Sequence, residues 1–270
     1  MKTVWFVLAA VLIVSMAVVV SADESAIPLY DGKPGKKVGD MRINPKDGAE
    51  MVWVPAGEFI MGSNDGFDDA KPQRNVHLDG YWVYKYPVTV AQYRKYCEST
   101  ERNMPRPPLW GWQDNHPIVL VSWESAVDYA EWAGASLPTE AQWEKAARGT
   151  DGRTYPWGND WDLTKFANSV EERLMSTQPV GSYPDGASPY GALDMVGNVW
   201  EFCSDWYGIE YYKSQPSSNP KGPDSGVART ARGGSWIFVD AKEDFRCFNR
   251  GAIAPNLRYD YYGFRCVVNP

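Results

Sequence analysis

The 270-residue chain has 27 basic and 34 acidic side chains and a net charge of −7, so it lacks the positive field used to bind nucleic acid or anionic lipid. Its 44% hydrophobic content is enough for a sizeable core and excludes wholesale disorder. The 24 Gly and 20 Pro break the chain too often for a helical bundle, and two histidines exclude a three-imidazole metal centre.

Lys2 precedes an apolar run from Val4 to Val20 and the small residues Ser21-Ala22, the pattern of a secretory signal, residues 1–22, cleaved after Ala22. An uncleaved anchor is the competing reading, because the run is just long enough to span a bilayer. No cysteine follows the run before Cys97, which argues against a lipid anchor. Cleavage implies a secreted or periplasmic protein with no membrane attachment, in an oxidising compartment. Cys97, Cys203, Cys247 and Cys266 allow up to two disulfides in three pairings, or stay as inert buried thiols. None is spaced as CxxC, so a zinc ribbon or thioredoxin motif is excluded.

Residues 23–48 are polar and include Lys33-Pro34-Gly35-Lys36-Lys37, which reads as a leader or linker. The folded domain is expected over residues 49–270. Met51–Val54 and Glu58–Met61 flank Pro55-Ala56-Gly57 and read as a hairpin. The alternation from Val76 to Val83 around Asp79-Gly80 suggests a second strand pair or a bent strand. Thr89 caps a short helix reaching about Cys97. Ser122 opens another, with Trp123, Ala126, Val127 and Ala130 on one face and Gly134 as its stop. Thr139 and Gln142 form a capping box, followed by the stripe Trp143, Ala146, Ala147 and a terminating Gly149. The rest is turn-rich, with short strand-like pieces such as Gly263 to Val268. No repeat or second domain is visible, and the sum is one α+β domain with little regular structure.

Asp65, Asp68 and Asp69 lie in a Gly-containing loop without EF-hand spacing, and read as a solvated acidic loop rather than a calcium site. His77 and His116 read as structural. The 13 Trp read as core rather than as a sugar platform. Phosphate loop, dinucleotide fingerprint and GxSxG elbow are all absent. Asp194 and Glu201 flank a Gly197-Asn198 turn, and carboxylates with turn carbonyls are ligands that Ca²⁺ accepts. Arg232-Gly233-Gly234-Ser235 predicts close backbone approach or positive φ at the paired glycines.

Six segments occur in order: Met51-Val52-Trp53-Val54-Pro55-Ala56-Gly57-Glu58-Phe59, Leu137-Pro138-Thr139-Glu140-Ala141-Gln142-Trp143-Glu144, Tyr155-Pro156-Trp157-Gly158-Asn159, Val196-Gly197-Asn198-Val199-Trp200-Glu201, Arg232-Gly233-Gly234-Ser235-Trp236 and Gly263-Phe264-Arg265. Together they resemble the formylglycine-generating enzyme family, the sulfatase-modifying factors, over roughly residues 50–268. The resemblance implies a compact, irregular α+β fold of C-type-lectin kind. It also implies oxidation of a sulfatase Cys, within a Cys-x-Pro-x-Arg motif, by O₂ and copper held on two thiolates. Those thiolates belong at the third and eighth positions after the motif serine, where this chain has Phe238 and Glu243. Neither side chain is a soft ligand for Cu(I), so copper is not expected. By the same resemblance Asp194, Gly197, Val199 and Glu201 match one calcium site, and Asn168, Ser169 and Glu172 a second, looser one. Where the resemblance implies two long-range disulfides, their helix-side cysteines are Ala130 and Ala147 here, while Cys247 and Cys266 remain; Cys203 offers a new partner, and Cys203 with Cys247 is the expected pair.

Two functions follow. One is a calcium-stabilised, non-catalytic member that binds an extended peptide or exported protein in the family groove, with no nucleic-acid partner. The other is an oxidoreductase of altered chemistry, copper-free or, less in keeping with the residues, formylglycine-generating. Its catalytic candidates are Glu243, Ser235 and Trp200.

Overall fold

The computed structural model describes residues 26–166, 176–237 and 242–270. The segments β1 (Met41–Ile43), β2 (Glu50–Val54), β3 (Gly57–Met61), β4 (Arg74–Leu78) and β5 (Tyr81–Tyr84) lead into three helices. These are α1 (Val90–Ser99), α2 (Trp123–Trp132) and α3 (Glu140–Arg148). The chain closes with β6 (Trp200–Trp206), β7 (Arg229–Arg232), β8 (Gly251–Ile253), β9 (Tyr262–Gly263) and β10 (Val267–Val268).

The central sheet has the order β1-β2-β5-β10 and is antiparallel throughout. Its side chains alternate between two cores, as the two-residue period of a strand requires. Met51, Trp53, Trp82, Tyr84 and Val268 face one core, with α1 and α2. Val52, Val54, Tyr81, Val83 and Val267 face the other, with α3. Burial on both faces explains why Met51-Val52-Trp53-Val54 and Tyr81-Trp82-Val83-Tyr84 are continuously apolar.

All three helices begin where side-chain oxygens cap the first turn. Thr89 and Thr139 form reciprocal boxes with Gln92 and Gln142, and Ser122 accepts from the Ser125 amide. Gly149, at φ +72, ends α3.

Two strand expectations are corrected. β2 and β3 do not form a hairpin: β1 and β5 already occupy both edges of β2, so the Pro55-Ala56 turn delivers β3 to a separate pair with β4. Likewise β4 and β5 are strands of different sheets rather than partners. The polar segment before residue 49 is also built into the fold. Ile43 N–H donates to Pro28 O at 2.9 Å, and Trp82 Nε1 donates to Lys33 O at 3.0 Å. The buried Asp47 carboxylate accepts the phenols of Tyr84 at 2.8 Å and Tyr129 at 2.6 Å.

All four cysteines are buried free thiols, so the expected Cys203–Cys247 bridge is not formed. Burial pushes Cys247 up to about 12 and raises the other three as well. The expected signal, residues 1–22, lies outside the described residues. Among the described residues no helix is long and apolar enough to cross a membrane.

Candidate functional site

The sheet β8-β7-β6-β9 brings three of the quoted segments together. Antiparallel β6–β7 register places Glu201 opposite Arg232, and parallel β6–β9 register places it beside Gly263. Next to the strands, Gly197 N–H donates to Gly233 O at 2.8 Å, and Trp236 N–H donates to Asn198 O at 3.1 Å. The turn needs left-handed backbone at Asp194, Gly197 and Asn198, with φ of 53°, 79° and 60°. Gly233 and Gly234 are also at positive φ, as the sequence predicts. A Cβ on Gly233 would lie 2.9 Å from Met195 O, and one on Gly234 2.8 Å from the Phe245 ring.

Beneath the turn lies a buried lattice of ion pairs. Glu201 accepts Trp143 Nε1 at 2.7 Å and a two-pronged grip from Arg265, whose Nε and Nη2 donate at 2.6 and 2.7 Å. Arg265 also donates to the carbonyls of Tyr84, Leu193 and Asp194. From α3, Glu144 binds Arg148 at 2.9 Å and, through its other oxygen, Arg232. Glu140 is gripped by Arg250 at 2.7 and 2.8 Å. Burial alone pushes Glu140 up, but Arg250, with Arg232 and Tyr212, more than offsets it and holds the carboxyl below its ordinary value. Asp205 accepts the Glu140 amide at 2.9 Å at the head of α3. Burial, with Glu140 nearby, raises it to about 7.

The catalytic candidates sit on or beside this lattice. Trp200 is buried and stacks on Tyr262, with ring centroids 6.3 Å apart. Ser235 is wholly buried in the segment laid against the turn. Glu243 lies in the 3-10 turn Lys242–Phe245, which packs through Phe245 and Asp244 O onto Gly234. Phe245 holds that turn against Phe166 and Trp161, at 4.8 and 5.8 Å between ring centroids. Glu243 itself is half-exposed and accepts Arg246 Nη2 at 3.3 Å. The structure thus brings the Ser235 segment and the Glu243 turn together, but Glu243 is paired with an arginine and Ser235 is sealed. Phe238 lies outside the described residues. A phenylalanine and an arginine-paired glutamate do not fit Cu(I).

The calcium set fits only in part. Asp194 is buried and accepts the Gly181 amide at 2.7 Å, and burial raises its carboxyl to about 6. Gly197 and Val199 lie on the same turn and could add carbonyls. Glu201 is committed to Arg265, which places a guanidinium where a cation would have to approach. Asn168, Ser169 and Glu172 lie outside the described residues. Among the described residues no three His, Cys, Asp or Glu side chains cluster as metal ligands do.

His116 is a buried structural residue, its Nδ1 2.9 Å from Thr177 Oγ1, and burial lowers its pKa. The acidic loop is not wholly solvated: Asp69 is buried and accepts Tyr207 OH at 2.7 Å.

An aromatic face beside the turn was not legible as a site. Trp236 meets Trp110 edge-on at 5.5 Å and donates from Nε1 to Asp260 O at 3.1 Å. Tyr259 stacks on Tyr261 at 5.0 Å. Leu109 is fully exposed there, and Ile237, Leu257 and Tyr259 are each about two-fifths exposed. The available signal was the pair of aromatic runs Leu109 to Trp112 and Tyr259 to Tyr262, which are indistinguishable from core in a chain this rich in aromatics.

Comparison with known proteins agrees with this architecture. Residues 37–270 match the sulfatase-modifying factor enzyme 1-like domain. A formylglycine-generating enzyme of Streptomyces coelicolor is 42% identical over 83% of this chain and 90% of its own length. A Chlamydia caviae protein named serine/threonine-protein kinase pkn1 is 38% identical over 81% of this chain, but the chain spans only 38% of that protein's length. The solved structure of PvdO from Pseudomonas aeruginosa superposes with a TM-score of 0.75 at 28% identity, covering 86% of this chain and 99% of PvdO. The chain therefore belongs to the sulfatase-modifying factor family, that of the formylglycine-generating enzymes.

Proposed function

We propose that this chain is a non-catalytic binding member of its family, exported, and that it recognises an extended peptide segment of another exported protein across the Trp110–Trp236–Tyr259 face. The observation that carries the reading is the state of the reference positions. Phe238 and Glu243 stand where the family resemblance puts copper thiolates, and Glu243 is paired with Arg246. The ion pairs that hold the scaffold are nonetheless intact. Loss of the reactive ligands with the frame retained suits recognition better than turnover. Aromatics beside a rigid turn supply the contact area, Tyr259 exposed and Trp110 half-buried against the buried Trp236, since Trp and Tyr bury much surface for little lost side-chain freedom. Kinase chemistry does not enter the reading, because the chain spans only 38% of the length of the relative that carries the kinase name.

Three measurements test it. The mature chain, incubated in air with copper and a Cys-x-Pro-x-Arg peptide, is expected to leave the Cys unconverted by mass spectrometry. Formation of the aldehyde would establish the catalytic alternative and require a copper site other than the thiolate pair. A displayed random-peptide library is expected to yield binders that the Trp110→Ala, Tyr259→Ala double variant no longer retains. Calcium belongs to the proposal at Asp194, with the Gly197 and Val199 carbonyls and without Glu201. Calcium is expected to raise the melting temperature of the wild type and not of Asp194→Asn, while an equal rise in both would move the ion elsewhere.

A further inference from the structure

The aromatic face ends at a cavity of about 420 Å³ whose wall includes Arg106, Arg258, Asn103, Ser125, Tyr93 and Leu120. Its two charged lining residues are both arginines, and no acidic residue lines it. Both arginines are exposed, and neither forms an ion pair among the described residues. In a chain of net charge −7, two uncompensated guanidinia facing one cavity are out of balance with the rest of the surface. Ser125 belongs to the first turn of α2, so the positive end of a ten-residue helix borders the same space. Leu120 is held at φ +58, a costly conformation for a leucine, with its N–H donating to Tyr259 O at 3.0 Å. That bond ties the cavity wall to the aromatic face. Arg258 immediately precedes Tyr259, and Arg106 lies just before Leu109.

We propose that this cavity is a carboxylate subsite, in which Arg106 and Arg258 take an acidic side chain of the peptide lying on the aromatic face. It rests on the peptide-binding reading above and gives that peptide a charge. Guanidinium forks match a carboxylate in two-pronged geometry. Asn103 and Ser125 offer further polar contacts, and Leu120 suits the short apolar stem of a glutamate. The preference is opposite in charge to the basic end of a Cys-x-Pro-x-Arg motif.

The test uses the mature chain and four probes: an amidated Gly/Glu peptide carrying one Trp, its Gln counterpart, succinate and inorganic phosphate. The Glu peptide is expected to bind about tenfold more tightly than the Gln peptide at low salt, and Arg106→Gln with Arg258→Gln to erase that difference. Both positions are exposed, so an unchanged melting temperature shows that the variant is folded. A Glu preference that survives the double variant overturns the subsite. Phosphate that displaces the Glu peptide better than succinate does, at equal concentration, overturns the carboxylate assignment. Equal binding of both peptides by wild type and variant leaves the peptide reading standing and removes the subsite. Arginine-dependent succinate binding with no peptide bound supports a carboxylate pocket for a free small acid and sinks the peptide reading. No binding by any probe overturns both.

Discussion

Glu144 has both carboxylate oxygens occupied, one by the Gly62 amide and Arg148, the other by Arg232 and Tyr212. Removing one partner from such a buried group strands a charge, which costs far more than the pair contributes net. Glu144→Ala is therefore expected to lower stability by about 3–5 kcal/mol in urea unfolding. Breaking the exposed Arg94–Asp114 pair should cost under about 1 kcal/mol. Comparable losses from the two changes would mean that the Glu144 lattice is hydrated. The pH response has a definite sign. Burial raises Asp205 to about 7 and Asp194 to about 6, against an ordinary 3.8. Between about pH 4 and 7 these two groups then hold more protons in the folded chain than in the unfolded one. The contribution of these two groups is present at the acid end and falls as pH rises through that window. Asp205→Asn keeps a neutral acceptor for the Glu140 amide, so its urea midpoint is expected to change less between about pH 5 and 8 than the wild type's. An unchanged pH slope would place Asp205 charged in the fold. The thiols give a further residue-scale check. All four are buried and free, so a thiol reagent should titrate none in the native chain and all four in denaturant.

Helix α3 shows how one element can position several functions. It presents Trp143 and Glu144 to the lattice on one side and Lys145 to the Pro55 and Gly57 carbonyls on another. Its start depends on Thr139, so Thr139→Ala is expected to cost about 1 kcal/mol, read as a lower denaturation midpoint. A neutral result would mean that the Asp205 contact at the Glu140 amide suffices to anchor the helix. The turn at Gly233-Gly234 is constrained twice, by backbone sign and by the rings packed against it. Gly39 has φ +90 but open space around a Cβ, whereas Gly234 has φ +74 and Phe245 in the way. Gly234→Ala should therefore lower the melting temperature well beyond Gly39→Ala, and equal effects would leave the Phe245 packing without a role.

At the scale of the whole molecule, the central sheet is closed at its start by a segment that composition marks as a linker. Without residues 26–48 the edge of β2 loses β1, and the Tyr84 and Tyr129 phenols lose Asp47. A chain starting at residue 49 is expected to unfold at a clearly lower denaturant midpoint and to associate through the open strand edge. Unfolding at the same midpoint would show that the sheet does not depend on β1. The layering also explains the segments that carry the family resemblance. Glu140, Glu144, Glu201, Arg232 and Arg265, which carry the resemblance, pair with one another or with Arg148 and Arg250 in the interior. Much of what marks the family in this chain is therefore framework, and Glu243, one of the two altered positions, lies in the turn packed on top of it.

Caps and helical spacing are local, so Thr89, Ser122 and Thr139 mark all three helices without reference to the rest of the chain. The paired glycines announce their turn for the same reason, since only the backbone at those two positions is involved. Strand partners are decided by segments far apart in sequence. Nothing within Met51 to Met61 reveals that β1 and β5 fill both edges of β2 and displace β3. The same holds at the site. Sequence spacing puts Asp194 and Glu201 on one turn, but only packing brings Arg265 onto Glu201 and turns an expected calcium ligand into half of an ion pair. Composition could count the aromatics but not sort Trp82, sealed between layers, from Trp110, set on the rim beside Trp236. Burial is a property of the assembled layers, and it was the tertiary structure that divided core from surface.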